Sequence, residues 1–303
     1  MFLNKQAGNY NKDVFFNDYD KTLKDYLEVT KDFKSSFDDF TIKEVNGFNV
    51  IDESESNPVG AKARMGEFLV KNLPNKELVY VQPRRGFAGI SLSYLCKKYN
   101  KNLTLIMPSS KEPSPHQTLC IEYGAKPIFV RIAAMPNANR IAKIYAEQTG
   151  AAFIPLGLQH PDVIAGAVTC FHNLFKNIDK PKTMWSVIST GVLTRSLQIA
   201  LPETDFNCVA VARNIQDGEL GRGKFYSYHK PFNSRSDLVP DKFNCEPSYD
   251  SKGWDYMNRY GKKGDWFFSV AGEAPLPTLD SKSIDSYRDW NDFKDLKALN
   301  IVI

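Results

Sequence analysis

The chain has 303 residues, 39 Lys and Arg against 35 Asp and Glu, a formal charge of +4 and 42% hydrophobic residues. With 24% charged residues it is not a disordered chain, and its length suits one large domain or two interlocked ones. So small a net charge excludes reading nucleic-acid binding from charge alone.

The elements are taken in chain order. The first residues, MFLNKQAGNY, turn polar at once and do not make a secretory signal. No run approaches the roughly 18 apolar residues of a membrane span. Residues 1–50 are polar and aromatic, with a strand-like piece at Phe40–Val45, and are expected to form an arm laid on the larger lobe. From about residue 57 the pattern alternates. Glu77–Gln82 is an apolar run, Phe87–Tyr99 a helical pattern, Leu103–Met107 a second strand, His116–Tyr123 a helix closed by Gly124. Pro127–Val130, Pro136–Thr149 and Ala152–Leu156 continue as strand, helix and strand. Such alternation predicts βαβ units and a parallel sheet. Pro161–Lys176 is then a helix, Trp185–Ile188 a strand, Leu193–Ala200 a helix and Phe206–Val211 a strand. Residues 214–262 carry Gly, Pro, Ser and Asn without periodicity and are expected to be an irregular embracing loop. Trp266–Val270 is a last buried strand, and 275–303 a polar tail ending in an apolar stretch.

The five cysteines (Cys96, Cys120, Cys170, Cys208, Cys245) form no C-x-x-C pair, so a reducing cytoplasm fits and a zinc site or disulfide framework does not. His116, His160, His172 and His229 have no ligand spacing, and no metal is assigned. The stretch from Arg213 to Lys230 interleaves basic and aromatic residues, a mixture that can hold a nucleic-acid strand but is more often a solvated loop.

Four segments carry a resemblance. Asn57-Pro-Val-Gly-Ala-Lys-Ala-Arg-Met-Gly66 resembles the N-P-x-G-S-x-K-x-R-x-A segment of the fold type II pyridoxal-phosphate (PLP) enzymes, the superfamily of cysteine synthase, threonine dehydratase, the tryptophan synthase β chain and aminocyclopropane-carboxylate deaminase. Gly86–Tyr94 is similar to that family's S-G-N-x-G helix start, Leu105-Ile-Met-Pro108 to its strand ending in M-P, and Leu119–Lys126 to its L-x-x-x-G-A turn. Weaker matches follow at Ile154-Pro-Leu-Gly157, Ser189-Thr-Gly191 and Phe267–Gly272. Two motifs depart: Arg84-Arg85-Gly86-Phe87 stands where the family has T/S-S-G-N, and Ser189-Thr-Gly-Val-Leu193 where it has G-[ST]-G-G-T.

The resemblance implies an α/β fold of two interlocked three-layer lobes with mostly parallel sheets, tryptophan synthase β-like. The small lobe would take residues 51–158 and the large lobe 159–303. It implies a PLP-dependent lyase or deaminase acting on a small amino-acid-like substrate, and a homodimer; the departing Arg85, once in the site, would make that substrate more anionic or bulkier than serine. Lys62 would form the Schiff base and shuttle the proton. Ser189, Thr190, Gly191 and Thr194 would hold the phosphate at a helix N-terminus, with Arg195 adding charge. Ser269 would face the pyridine nitrogen, Phe87 would flank the ring, and Arg84, Arg85 and Gly86 would meet the substrate anion. A neutral serine at the nitrogen would favour elimination and deamination. Read as residues alone, the same positions also suit an exposed helix lysine, an N-capped helix, a strand-end serine and surface arginines. Two further readings stay open: a PLP enzyme acting on an amino-acid-modified nucleotide or DNA, and a non-catalytic relative that binds a ligand or partner.

Overall fold

The apolar runs become the inner strands of two sheets in the computed structural model, which describes residues 21–37, 39–130, 135–211, 215, 217–286, 296–297 and 300–302. Residues 1–20 of the expected arm, Arg213 of the basic-aromatic segment and 287–295 of the tail lie outside the described residues.

Helix α1 (Leu23–Val29) precedes a hairpin of β1 (Ile42–Val45) and β2 (Phe48–Asp52). A single turn, α2 (Glu53–Ser56), leads to α3 (Ala61–Asn72). Then come β3 (Glu77–Val81), α4 (Ala88–Lys98), β4 (Asn102–Pro108), α5 (Pro115–Glu122), β5 (Lys126–Val130), α6 (Met135–Thr149) and β6 (Ala152–Phe153). After α7 (Pro161–Leu174) the chain forms β7 (Thr183–Ile188), α8 (Val192–Ala200), β8 (Asp205–Ala210), α9 (Asp217–Leu220), β9 (Lys224–Ser227), α10 (Asp250–Tyr260) and β10 (Trp266–Ser269).

A four-stranded parallel sheet has the order β5-β4-β3-β6. A six-stranded sheet has the order β1-β2-β10-β7-β8-β9, parallel except for the β1–β2 hairpin. The fold is α/β with mostly parallel sheets, as expected. β3 and β7 are buried on both faces, which is why they read as unbroken apolar runs rather than as alternation. Asn46 and Gly47 turn the hairpin, both at positive φ (54° and 75°), the pairing that a two-residue turn between twisted strands requires. β6 stops at Phe153, shorter than the expected strand to Leu156, because Pro155 and a left-handed Gly157 (φ 70°) end the extended run.

The stretch 214–262 differs most from its sequence reading. It contains β9 at the edge of the large sheet and the eleven-residue helix α10. α10 buries Trp254 and Met257 against Trp185, Phe243 and Phe267. It also buries Asp250, Lys252 and Asp255. The Lys252 amine reaches the carbonyls of Pro231 and Phe232 at 2.7 and 3.0 Å, so a buried charge ties the preceding loop to the helix. Among the described residues, no helix is long and apolar enough to cross a membrane.

Candidate functional site

The site forms where the carboxyl ends of β3, β7 and β10 face one another, the usual ligand position in open α/β sheets. A cavity of about 400 Å³ lies there.

The first wall is the start of α3. Asn57 Nδ2 donates to the Gly60 carbonyl at 2.9 Å, and the Ala61 amide donates to the Val270 carbonyl at 2.8 Å. Arg64, fully buried one turn on, is clamped to Glu53 by bonds of 2.8 and 3.1 Å, with its guanidinium over the Phe40 ring. These contacts fix the first turn of α3 and so fix Lys62. The Lys62 amine points into the cavity wall and donates to the Gly157 carbonyl at 3.0 Å. Burial lowers its pKa from 10.5 to about 8.

Gly157 lies between that amine and the β7–α8 turn. A Cβ on it would stand 2.5 Å from Thr190 Oγ1. Gln159 Nε2 donates to the Thr190 carbonyl at 3.0 Å. The turn, Ser189 to Gly191, opens α8, and Gly191 is its N-cap in the left-handed region. Ser189, Thr190, Gly191 and Thr194 all line the cavity. Thr194 Oγ1 also lies 3.1 Å from Ser186 Oγ on β7.

The third wall is the loop after β3. Gln82 shapes it: Nε2 donates to the carbonyls of Pro83 and Gly86, and Oε1 accepts from the Gly89 amide at 2.9 Å. Arg85, Gly86 and Phe87 line the cavity, and Phe87 meets His116 edge-on at 5.6 Å. Burial, with Arg85 nearby, pushes His116 down to about 4, so it is neutral at physiological pH.

The structure thus brings Lys62, Arg85, Gly86, Phe87, Ser189, Thr190, Gly191 and Thr194 to one cavity. It does not bring Arg84 or Ser269 there. Arg84 turns to Ser110 and the Glu112 carbonyl. Ser269 is buried in β10, and the next residues, Val270 and Ala271, line the cavity instead. Sequence reasoning missed His116, Glu246, Tyr249 and Asp250, all cavity-lining. The last three lie in the segment without periodicity, where nothing marked them. Gly157 did carry a signal, as the end of the Ile154–Gly157 match.

The basic residues near 222 are engaged elsewhere. Arg222 donates to the carbonyls of Thr204, Leu201 and Gln198, closing the end of α8. His229 and Lys230 pair with Asp237. Arg222→Ala is expected to cost about 1–2 kcal/mol in urea denaturation, the loss of charged bonds to helix-end carbonyls. All five cysteines are free and buried, and burial raises Cys96, Cys170 and Cys208 to about 12. Among the described residues, no group of three or more His, Cys, Asp or Glu can hold a metal ion.

Solved structures share this fold at low identity. Processed threonine deaminase isoform 2 from Solanum lycopersicum superposes with a TM-score of 0.65 at 13% identity, covering 92% of this chain and 89% of that one. Serine racemase from Dictyostelium discoideum gives 0.60 at 17% identity, covering 86% and 99%. Escherichia coli diaminopropionate ammonia lyase in its apo form gives 0.58 at 12% identity, covering 90% and 91%. No curated protein matches the chain by sequence. The family model described as pyridoxal-phosphate dependent enzyme matches residues 52–263, a span that holds the Lys62 turn and both other walls up to α10. The match covers well over half of the sequence, and on it the chain belongs to the pyridoxal-phosphate dependent enzyme family.

Proposed function

We propose that this chain is a PLP-dependent lyase or deaminase acting on a small, anionic, amino-acid-like substrate. The observation that carries the reading is the half-buried Lys62 amine, one residue-width across Gly157 from the left-handed turn that opens α8.

The residues present fit the cofactor. Lys62 would hold its aldehyde carbon covalently, since an amine depressed to about 8 has a far larger neutral, nucleophilic fraction near physiological pH than an ordinary lysine. Ser189, Thr190, Gly191 and Thr194 would hold the phosphate, where backbone N–H groups and the helix dipole favour an anion. PLP supplies an electron-withdrawing ring conjugated to the substrate α-carbon. The Lys62 amine would be the base for a proton on that carbon. Phe87 and the neutral His116 would form an apolar flank that keeps water from the ring. Arg85, exposed at the cavity mouth, offers a guanidinium fork to a substrate carboxylate. A cytoplasmic setting and a homodimer belong to the same reading; the first is supported by five free thiols, and the second is checked by light scattering.

Added PLP is expected to give the purified protein a visible absorption band that borohydride fixes to Lys62. Acidic amino acids should then release ammonia or a keto acid. Arg85→Ala should raise KM about tenfold or more with a smaller change in kcat, as expected for a ground-state carboxylate contact. A protein that takes up no PLP overturns the reading. One that takes it up but turns over only neutral amino acids overturns the anionic substrate.

A further inference from the structure

The β10 wall of the cavity holds an unexplained acid. Asp250 opens α10 and is fully buried. Its Oδ2 accepts from the Val270 and Ala271 amides at 2.9 and 3.3 Å. Its Oδ1 is buried and has no hydrogen-bond partner among the described residues, although Asp250 lines the cavity. A buried carboxyl oxygen without a partner is costly and calls for a missing hydrogen-bond partner.

We infer that Asp250 Oδ1 is the partner of the cofactor's ring nitrogen and keeps that nitrogen protonated, an inference that rests on the PLP reading above. The wall itself narrows the choice. Ser269 Oγ is also buried without a partner among the described residues, but Ser269 does not line the cavity, and Val270 and Ala271 offer no polar side-chain atom. Glu246 also lines it, but both of its oxygens are taken by the Ser248 amide and hydroxyl at 2.8–2.9 Å. Position agrees too. Val270, whose amide binds Asp250, uses its carbonyl to accept from Ala61, the neighbour of Lys62. The carboxyl and the amine are therefore tied through one residue of β10's end.

The proton balance closes within the pair. Burial raises the Asp250 carboxyl well above the usual carboxylate range, which favours its protonated form in the cofactor-free protein. With the cofactor bound, that one proton would be shared with, and pass from Oδ1 to, the ring nitrogen. A pyridinium then faces a carboxylate, and the net charge of the cavity is unchanged. A protonated ring draws electrons more strongly than one facing a serine hydroxyl. Reactions without a β-leaving group, such as racemisation at the α-carbon, thereby come within the site's range.

The test is nitrogen-15 NMR of the protein loaded with ring-labelled PLP. The wild-type signal is expected in the pyridinium range and the Asp250→Asn signal in the unprotonated range at the same pH. The asparagine carbonyl can still accept from Val270 and Ala271, so the wall is kept. An unprotonated wild-type nitrogen, or a pyridinium that persists in Asp250→Asn, overturns the inference. A second measurement needs no variant. Wild-type protein should bind PLP about tenfold or more tightly than the carbocyclic analogue with CH in place of the ring nitrogen, the size of one charge-assisted hydrogen bond. Equal affinities overturn the role of Asp250 alone; binding of neither compound overturns the PLP reading beneath it.

Discussion

Lys62→Met is expected to abolish covalent capture of PLP and, in the same protein, to raise stability at neutral pH. The amine titrates near 10.5 in an unfolded chain and near 8 in the fold, and burial is the cause. Between those values the unfolded state binds the extra proton, so wild-type stability rises with pH across that window. Below about pH 8 both states are protonated, and the fold carries the whole cost of a buried ammonium. The shift sets that cost at about 3 kcal/mol at most. Methionine keeps the unbranched stem and removes the charge, but leaves the Gly157 carbonyl without its donor. The net gain should be about 1–2 kcal/mol at pH 7 and should turn into a loss of about 1–2 kcal/mol by pH 10.5, where the wild-type amine is largely neutral and the missing bond to Gly157 remains. Urea denaturation of cofactor-free wild type and variant at pH 7 and pH 10 reads this directly. Equal stability at pH 7 would mean that the amine is not desolvated.

Gly191→Ala should damage both fold and cofactor binding. Gly191 sits at φ 75°, and a Cβ there would lie 2.6 Å from the Glu219 carbonyl oxygen and 2.7 Å from Glu219 Cα. Both contacts are backbone, so no side chain can swing aside. Left-handed strain and the forced shift of the turn together should cost about 2–4 kcal/mol. The same shift withdraws the amides that open α8, and PLP affinity should fall about tenfold or more. A variant that melts and binds like wild type would show that the turn is not the phosphate site.

The parts legible in the sequence share one physical trait. β3, β4, β7 and β10 lie in sheet interiors, and burial on both faces writes itself as an apolar run. Lys62 was legible because Asn57 and Gly60 are needed to shape the chain before it, whatever the rest of the sequence does. α10 was hidden for the opposite reason. Its inward face carries Asp250, Lys252 and Asp255 beside Trp254 and Met257, so buried charge erased the amphipathic period. Asp250 was lost with it. Arg84 and Arg85 are adjacent in sequence, yet only Arg85 lines the cavity, and composition cannot separate them. Ser269 is buried in β10, while the next residue, Val270, lines the cavity. Successive side chains leave opposite faces, so one step decides between core and cavity.

The six-stranded sheet also sets an order of events during synthesis. The four-stranded sheet draws on one contiguous stretch, from β3 to β6, and can pair as soon as that stretch has left the ribosome. The larger sheet cannot. β2 is translated early, but its parallel partner β10 joins it only after both βα series have been made. Until then β2 presents a bare edge on the side away from β1. The Val270 carbonyl that pins Ala61 arrives with β10 as well. Lys62 is therefore among the first functional groups made and among the last to be seated, so a nascent chain does not carry a formed active cavity.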